Sequence, residues 1–223
     1  MQSEEQVLAR WQQNASPWIA AIRNQEISSR KLATDQAIVS AVLATRAKTV
    51  LDVGCGEGWL VRELARLGLQ ARGVDAVPAL IDEAMRLGGE FAVASYEDIA
   101  SGAMQWTADT VSCNFALIGK ESVEQLFRCV PSLLNPQGSF VVQTLHPREA
   151  GGDQPYEDGW REGSWAGFNS AFQDAPPWYF RTLESWRELF RASGLQLVSE
   201  SWPIHPLTGQ PASVVFKAQA APA

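Results

Sequence analysis

Residues 50–58 read VLDVGCGEG and constrain the fold more than any other part of the chain. An apolar run that favours a buried strand carries Asp52 near its end. Three alternating glycines follow, Gly54, Gly56 and Gly58, and apolar residues then recur at helical spacing, which predicts a turn between a strand and a helix. Glycine suits such a turn because it accepts positive φ and lets a ligand approach where a Cβ would collide. Because the free N–H groups of the helix point to the same place, this corner is predicted to bind a ligand.

The position of the third glycine distinguishes two classes of nucleotide ligand. A dinucleotide fingerprint, G-x-G-x-x-G, would require glycine at position 59, where the chain has Trp59, and here the glycine is Gly58. The acid-glycine string 52–58 instead resembles motif I of the class I S-adenosylmethionine-dependent methyltransferases. The resemblance implies that this loop, Cys55 included, packs beside the methionine and ribose parts of the cofactor. It also implies that Asp52 helps to hold the amino-acid end, and that the product is S-adenosylhomocysteine.

A second acid, Asp75, follows the next predicted strand, 69–74. A carboxylate about twenty residues after the first glycine, at the end of the second strand, can accept hydrogen bonds from both hydroxyls of a ribose. Dinucleotide folds and class I methyltransferases share this device, so Asp75, with Ala76 beside it, predicts an adenosine ligand without choosing between them. The alternative is that Asp75 only caps the helix that begins at Pro78.

The third predicted strand, 91–95, leads to the expected adenine contact. Many members of the family end this strand with an acid that reads the adenine amino group, but the corresponding residue here is Ser95. Ser95, Glu97 or Asp98 could each meet the adenine. Tyr96 offers its ring either for stacking on the adenine or for closing the core.

A fourth strand, 108–115, resembles motif IV of the family, which places Asn114 and Phe115 at the methyl end of the cofactor, through backbone groups. A fifth strand is predicted at 139–144, and the strand-helix alternation up to that point demands a parallel sheet with ligands at the carboxyl ends of its strands. Strands 195–202 and 212–218 have no helix between them and must be antiparallel. We therefore predict an α/β fold with a doubly wound, mostly parallel seven-stranded sheet, an antiparallel last strand and helices on both faces.

A segment rich in glycine, proline and aromatic residues interrupts this alternation after the fifth strand. Loops of this length are usually functional lids or disordered, and the aromatic density argues against disorder. We expect an apolar pocket for a small organic acceptor, lined by Trp160, Trp165, Trp178 and Tyr179. Trp18, from predicted N-terminal helices, either joins this lid or only covers the sheet. The predicted divisions are an N-terminal helical cap (1–33), a cofactor-binding core (34–145), a substrate-lid insertion (146–180) and a C-terminal helix and strand pair (181–223).

The chemistry that the resemblance implies needs little from the protein beyond alignment. A sulfonium methyl is already activated, so the protein must mainly place an acceptor lone pair in line with the S–C bond and exclude water. His146, just past the fifth strand, is the one titratable side chain that we nominate as a base; the alternative is a structural hydrogen-bonding role. Thr34 is the predicted N-cap of the helix before the first strand.

Composition excludes several classes of function. The 223 residues, 46% of them hydrophobic, can bury one core, and the net charge of −7 argues against a nucleic-acid partner. Apolar stretches are too short for a membrane span, and the N-terminus lacks the pattern of a secretory signal, so we expect a cytoplasmic protein without a membrane partner. Three dispersed cysteines and two histidines support neither a disulfide framework nor a metal site. The sequence does not indicate an oligomeric state.

Two other functions stay open at this point. A nicotinamide-dependent oxidoreductase is disfavoured by Trp59 and by the lack of a Tyr-x-x-x-Lys pair. A non-catalytic S-adenosylmethionine-binding protein would keep the same corner and transfer nothing.

Overall fold

A computed structural model describes residues 4–221. Its centre is a seven-stranded sheet, and a two-stranded ribbon lies beside it. The strands are β1 (Thr49–Val53), β2 (Gln70–Asp75), β3 (Glu90–Val93), β4 (Ala108–Asn114), β5 (Leu134–Thr144), β6 (Gly159–Arg161), β7 (Trp178–Phe180), β8 (Leu195–Ser201) and β9 (Val214–Ala220). The helices are α1 (Glu4–Gln13), α2 (Ala15–Arg23), α3 (Asp35–Leu43), α4 (Trp59–Arg66), α5 (Pro78–Leu87), α6 (Tyr96–Ala100), α7 (Glu121–Leu133), α8 (Pro147–Ala150) and α9 (Leu183–Ala192).

The strand order of the main sheet is β3-β2-β1-β4-β5-β9-β8. Strands β1 to β5 pair in parallel, and β9 runs antiparallel to both β5 and β8. The predicted fold class is therefore confirmed. The chain order reverses between β1 and β4, and open α/β sheets bind their ligands beyond the carboxyl ends of the strands at such a point.

Alternation along the strands divides the core into two faces. Leu51 and Val53 of β1 face a cluster that includes Phe127 of α7 and Phe190 of α9. Val50 faces the opposite cluster with helices α3 and α4. Each fully buried side chain of this size contributes about 1.5–3 kcal/mol to stability. Because side chains alternate, Asp52 points toward the α3 and α4 side, where β1 ends.

The approach to the sheet differs from the prediction at one residue. Thr34 does not cap α3: its φ and ψ are helical (−81° and −31°) and its side chain makes no capping bond. A π-helical turn, Arg30–Thr34, runs directly into the helix, so the non-helical backbone that an N-cap requires is missing. The Thr34 hydroxyl is buried and has no hydrogen-bond partner among the described residues.

The segment after β5 contains regular structure. It begins with the short helix α8, and its later part forms the β6–β7 ribbon, in which Trp160 pairs with Tyr179. Strand β5 is also longer than predicted, because Leu134 already pairs with Ala108 before the register shifts. Within residues 4–221, no helix combines the length and apolar character needed to cross a membrane.

Candidate active site

The glycine turn after β1 has the conformation that its sequence predicts. Gly54, Gly56 and Gly58 have φ values of 75°, 57° and 81°, a region that other L-residues rarely adopt. A Cβ on Gly54 would also collide with the Cβ of Ala116, which lies after β4. The backbone N–H groups of Gly54 and Cys55 donate to Val74 O at 2.8 and 2.9 Å. The turn is therefore fixed between β2 and the end of β4.

Asp75 connects this turn to the end of the second strand. Its carboxylate accepts from Gly56 N and from Val77 N, each at 2.9 Å. Asp75 thus supports the start of α5 and the glycine turn together. Each oxygen keeps a further lone pair, so the two functions considered for Asp75, helix start and hydroxyl acceptor, are compatible. Burial raises the pKa of Asp75, and the backbone N–H groups of Val77, Gly56 and Ala76 partly offset this increase.

Asp52 is the most deeply buried acid of the corner, with 2% of its surface exposed. Ser112 Oγ, directly across on β4, donates to its Oδ1 at 2.7 Å. Burial raises the pKa of Asp52 from 3.8 to about 7, the Ser112 bond lowers it, and the negative charges of Asp75 and Glu57 raise it further. A neighbouring cation would reverse this effect, because it stabilises the ionised carboxylate.

Glu57 is a third carboxylate that the sequence prediction missed. Only 3% of this residue is exposed, and one of its oxygens, Oε1, has no hydrogen-bond partner within residues 4–221. Its Oε2 lies 3.6 Å from a guanidinium nitrogen of Arg62. Burial raises the pKa of Glu57, while Arg62 and Arg30 lower it. Glu57 could have been predicted as a site residue because it is a charged residue inside a glycine motif. Together with Asp52 and Asp75, Glu57 makes the corner negatively charged.

The end of β4 carries backbone strain and a fixed amide. Phe115 has φ 55° and donates its N–H to Gln143 O at 2.8 Å. A bulky residue at positive φ persists only where its surroundings hold it, and such residues cluster at functional sites. The side chain of Asn114 accepts from Gln143 Nε2 at 2.8 Å. Gln143 and Ser112 were also missed, although a polar residue within an apolar buried strand is a readable signal.

The predicted adenine region is organised by a capping box. Strand β3 ends at Val93 and not at Ser95, because Ser95 is the N-cap of α6 and exchanges hydrogen bonds with Asp98. Glu97 is exposed beside them. Tyr96 packs its ring against the main core and donates its hydroxyl to Ala116 O at 3.0 Å. Two roles were considered for Tyr96, stacking on the adenine and closing the core. These contacts correspond to closing the core.

The N-terminal helices cover the glycine turn. Trp18 Nε1 lies 3.8 Å from the position that a Cβ on Gly56 would take. Trp11 meets Trp18 and Trp165 edge to face at centroid distances of 5.2 and 5.8 Å, and Phe168 stacks on Trp18 at 6.4 Å. Two of the predicted lid tryptophans, Trp18 and Trp165, therefore belong to one aromatic cluster above the turn.

The other predicted lid residues lie on the β6–β7 ribbon. Trp160 and Tyr179 pack edge to face at 5.7 Å, and Trp178 packs on Phe180 of the same strand. The N–H of Tyr179 donates to Ile118 O at 2.8 Å. This bond joins the ribbon to the loop after β4.

Two polar residues that the sequence prediction missed hold the N-terminal helices against the rest of the molecule. Glu4 of α1 accepts from Lys120 N at 2.7 Å and from Ser122 Oγ at 2.5 Å, at the start of α7. Asn14 is fully buried and exchanges two bonds with the backbone of Gln173, at 2.7 and 2.9 Å. The N-terminal helices are thus bonded to the β4–α7 loop and to the segment after β5. Surface depressions of about 470 and 420 Å³ lie elsewhere, beside α4 and α8.

His146 lies just past β5 and is buried, with 2% exposed. Its ring meets Trp202, which follows β8, edge to face at 4.7 Å. Neither ring nitrogen has a hydrogen-bond partner in the described part of the chain. Burial lowers the pKa of His146, so the ring is neutral at pH 7 and can accept a proton. None of the predicted cofactor residues is among its ring contacts.

A family model described as a methyltransferase domain matches residues 24–200, which is most of the chain. The chain belongs to the methyltransferase-domain family. This confirms the resemblance to class I S-adenosylmethionine-dependent methyltransferases carried by the acid-glycine string, and it does not favour an oxidoreductase.

Individual relatives of the chain agree with the family assignment. The ubiquinone biosynthesis O-methyltransferase of Xanthomonas euvesicatoria pv. vesicatoria (strain 85-10) is 36% identical over 115 residues, 48% of this chain and 47% of that protein. The chain thus spans about half the length of the curated relatives it matches.

Solved structures show the same fold. The Burkholderia thailandensis 1,6-didemethyltoxoflavin-N1-methyltransferase, bound to 1,6-didemethyltoxoflavin and S-adenosylhomocysteine, has a TM-score of 0.66 at 17% identity, covering 94% of this chain and 88% of its own. An S-adenosylmethionine-dependent methyltransferase from Mesorhizobium loti has a TM-score of 0.63 at 19% identity, covering 84% and 98%.

Proposed function

We propose that this chain binds S-adenosylmethionine at the exits of β1 and β2 and transfers its methyl group to a small organic acceptor. The observation that carries this proposal is the meeting of three carboxylates, Asp52, Glu57 and Asp75, at a turn whose glycines hold positive φ. Buried carboxylates favour a cationic ligand. S-adenosylmethionine brings a sulfonium and an ammonium group, so the residues present fit it.

Different residues of the chain would bind different parts of the cofactor. Asp75 would accept the ribose hydroxyls on its remaining lone pairs, while Gly56 N and Val77 N hold its carboxylate in place. Asp52 would ionise and receive the ammonium group, and its bond from Ser112 fixes its orientation. Adenine would lie toward Ser95 and Tyr96, at the end of β3.

S-adenosylmethionine, when bound, supplies a methyl group on a positively charged sulfur that is already a good electrophile. The protein then contributes alignment and exclusion of water, since a well-oriented pair reacts far faster than free reactants. Trp18 and Trp165 cover the glycine turn in one aromatic cluster, which is suited to keeping water out. We propose that residues 1–33 and 146–180 act as the cap and lid of the 34–145 core, completed by residues 181–223.

We propose an aromatic acceptor. The tryptophans and the tyrosine of the segment after β5 offer flat apolar surfaces, on which planar rings pack well. The name of the Xanthomonas relatives supports an oxygen as the methylated atom. His146 is the proposed base for an acceptor hydroxyl, because it is neutral at pH 7 and neither of its ring nitrogens has a hydrogen-bond partner between residues 4 and 221.

Calorimetric titration with S-adenosylhomocysteine and with NAD tests the proposed cofactor. We expect S-adenosylhomocysteine to bind and NAD not to bind. In Asp75→Asn, affinity for S-adenosylhomocysteine should fall about tenfold to a hundredfold, because a charged acceptor of ribose hydroxyls becomes an amide. Glu90→Gln, which neutralises an exposed carboxylate paired with Arg72, is the matched control and should bind as the wild type does.

Incubation with labelled S-adenosylmethionine and a panel of phenols, catechols and aromatic amines tests the transfer. Label in a phenolic product supports the proposal. Tight binding of S-adenosylhomocysteine without label in any member of a broad panel would favour a non-catalytic binding protein, and binding of NAD alone would refute the cofactor assignment.

A further inference from the structure

We infer that the side chain of Asn114 donates a hydrogen bond to the carboxylate at the amino-acid end of S-adenosylmethionine, and that Gln143 is the positioning residue that turns Asn114 toward it. The inference rests on the proposed function. It deepens that function by assigning to two side chains the recognition of one group of the cofactor.

A backbone carbonyl decides the orientation of both amides. Gln143 is fully buried, and the atom of its amide that faces Thr34 O, at 2.9 Å, must be the nitrogen, because a carbonyl oxygen can only accept. The same Nε2 lies 2.8 Å from the amide of Asn114, so the facing atom of Asn114 must be its oxygen. Ser213 Oγ, at 3.1 Å, donates to the remaining oxygen of Gln143.

Asn114 is left with an oriented donor. Both hydrogens of Gln143 Nε2 are used, one on Thr34 O and one on Asn114 Oδ1, so Asn114 cannot rotate its amide without losing a buried bond. Its Nδ2 has no hydrogen-bond partner within the part of the chain that the structure describes. Unlike Gln143, Asn114 is only partly buried, so this nitrogen is open to a ligand.

The donor lies beside the acid that is proposed to bind the ammonium group. Asp52 and Ser112 are direct partners across β1 and β4, and Asn114 is the next residue of β4 on the same face of the sheet. Parallel strands lie about 4.8 Å apart and two residues span about 6.6 Å along a strand, so the diagonal between these positions is about 8 Å. Two polar side chains can bind one small group between them over this distance. Asp52 and Asn114 thus present an acceptor and a donor side by side at the strand ends.

A zwitterion explains why a donor is needed here. The carboxylate at the amino-acid end enters a corner that already contains Asp52, Glu57 and Asp75, and like charges disfavour it. A neutral amide donor satisfies that carboxylate without cancelling the negative field that favours the sulfonium. The arrangement therefore predicts that Asn114 separates ligands that have this carboxylate from ligands that lack it.

The test compares S-adenosylmethionine with its decarboxylated form, which keeps the sulfonium and the ammonium and lacks only the carboxylate. In Asn114→Asp, the oxygen that accepts from Gln143 is retained and the donor becomes an acceptor. We expect affinity for S-adenosylmethionine to fall about tenfold to a hundredfold, while affinity for the decarboxylated form stays within about threefold or rises. Calorimetry gives both affinities without requiring turnover.

Two further variants separate positioning from direct contact. Gln143→Met removes both amide hydrogens and should lower affinity for S-adenosylmethionine selectively, although Asn114 is unchanged; its circular dichroism spectrum shows whether it folds. Ser213→Ala removes the bond to the other end of Gln143 and leaves both donors in place, so its ligand preference should match the wild type. If Gln143→Met fails to fold, Asn114→Asp alone decides the question.

Other outcomes overturn the inference in distinguishable ways. Equal weakening of both ligands in Asn114→Asp, or no change in either, refutes the carboxylate contact while the proposed function stands. Unchanged cofactor affinities with a raised KM for the acceptor would place Asn114 on the acceptor instead. If the wild type binds neither ligand, the proposed function fails and this inference fails with it.

Discussion

Ionisation of Asp52 should make the free protein less stable as the pH rises and should make it bind S-adenosylmethionine more tightly. The folded pKa of Asp52 is raised to about 7 from 3.8, so between these values the folded chain holds a proton that the unfolded chain releases. The free energy of unfolding therefore falls as the pH increases from about 4 to about 7 and is constant above that, as far as this group is concerned. At about 1.4 kcal/mol per pH unit, the loss at pH 8 is about 4 kcal/mol.

The variant Asp52→Asn isolates this contribution. At pH 5 both folded forms carry a neutral group at position 52, but the wild type has already lost about 1.6 kcal/mol, because its unfolded chain releases the proton above pH 3.8. The variant loses about 1–3 kcal/mol for an amide nitrogen buried without a partner. At pH 8 the variant avoids the cost of the buried charge, so its stability relative to the wild type should improve by about 2.7 kcal/mol compared with pH 5, which corresponds to the two pH units between pH 5 and the folded pKa of about 7. Denaturant unfolding at the two pH values measures this change. The difference between the proteins contains the titration of Asp52 and its coupling to Glu57 and Asp75, because these charges act on one another.

Binding should depend on pH in the opposite direction. A cation beside Asp52 lowers its pKa, so the affinity of the wild type for S-adenosylmethionine should rise by up to about tenfold per pH unit below pH 7 and level off above it. Asp52→Asn should bind weakly at every pH. A flat affinity profile of the wild type from pH 5.5 to 8, or an equal loss of stability in the variant at both pH values, would refute the reasoning.

Two further substitutions test the turn and the proposed base. Gly54→Ala should lower the free energy of unfolding by more than about 3 kcal/mol and abolish binding of S-adenosylhomocysteine, because it combines a positive φ with a collision at Ala116. Gly68→Ala is also at positive φ (93°), but among the described residues, chain neighbours apart, no heavy atom lies within 4 Å of the added Cβ, so it should cost only about 1 kcal/mol. Equal Tm shifts for the two variants would contradict the collision argument. His146→Ala should leave affinity for S-adenosylhomocysteine unchanged and slow methyl transfer about 10²–10⁴-fold, and an unchanged single-turnover rate would end the proposal that His146 is the base.

The parts of this molecule that were predictable from sequence depend on short-range patterns. Periodicity and glycine placement predicted the fold, a buried strand that ends near Asp52 and the turn at Gly54, because those signals lie within one strand-turn-helix unit. Ser95 was misplaced at the end of a strand because its capping box with Asp98 competes with strand geometry. Thr34 is a favourable capping residue by type, but it does not cap α3 because the π-helical turn Arg30–Thr34 continues directly into that helix.

The unpredicted parts depend on contacts between distant residues. Glu4 meets Lys120 across 116 positions of sequence, and no local pattern marks that pairing. The role of Gln143 also depends on distant residues, because its amide is oriented by hydrogen bonds to Asn114 and Thr34. Glu57 could have been noticed, since a buried acid is expensive unless something compensates for it.

The fastening of α1 and α2 has a consequence for the order of events in turnover. Glu4 holds the loop after β4, and Asn14 holds the segment after β5, so both covers are joined through a single pair of helices. The proposed cofactor corner lies beneath this joint, since Trp18 of α2 reaches the glycine turn, and under the proposed function we expect its ligand to exchange when these bonds open. We therefore expect an ordered kinetic mechanism in which S-adenosylmethionine binds first and S-adenosylhomocysteine dissociates last, and in which this dissociation limits the steady-state rate.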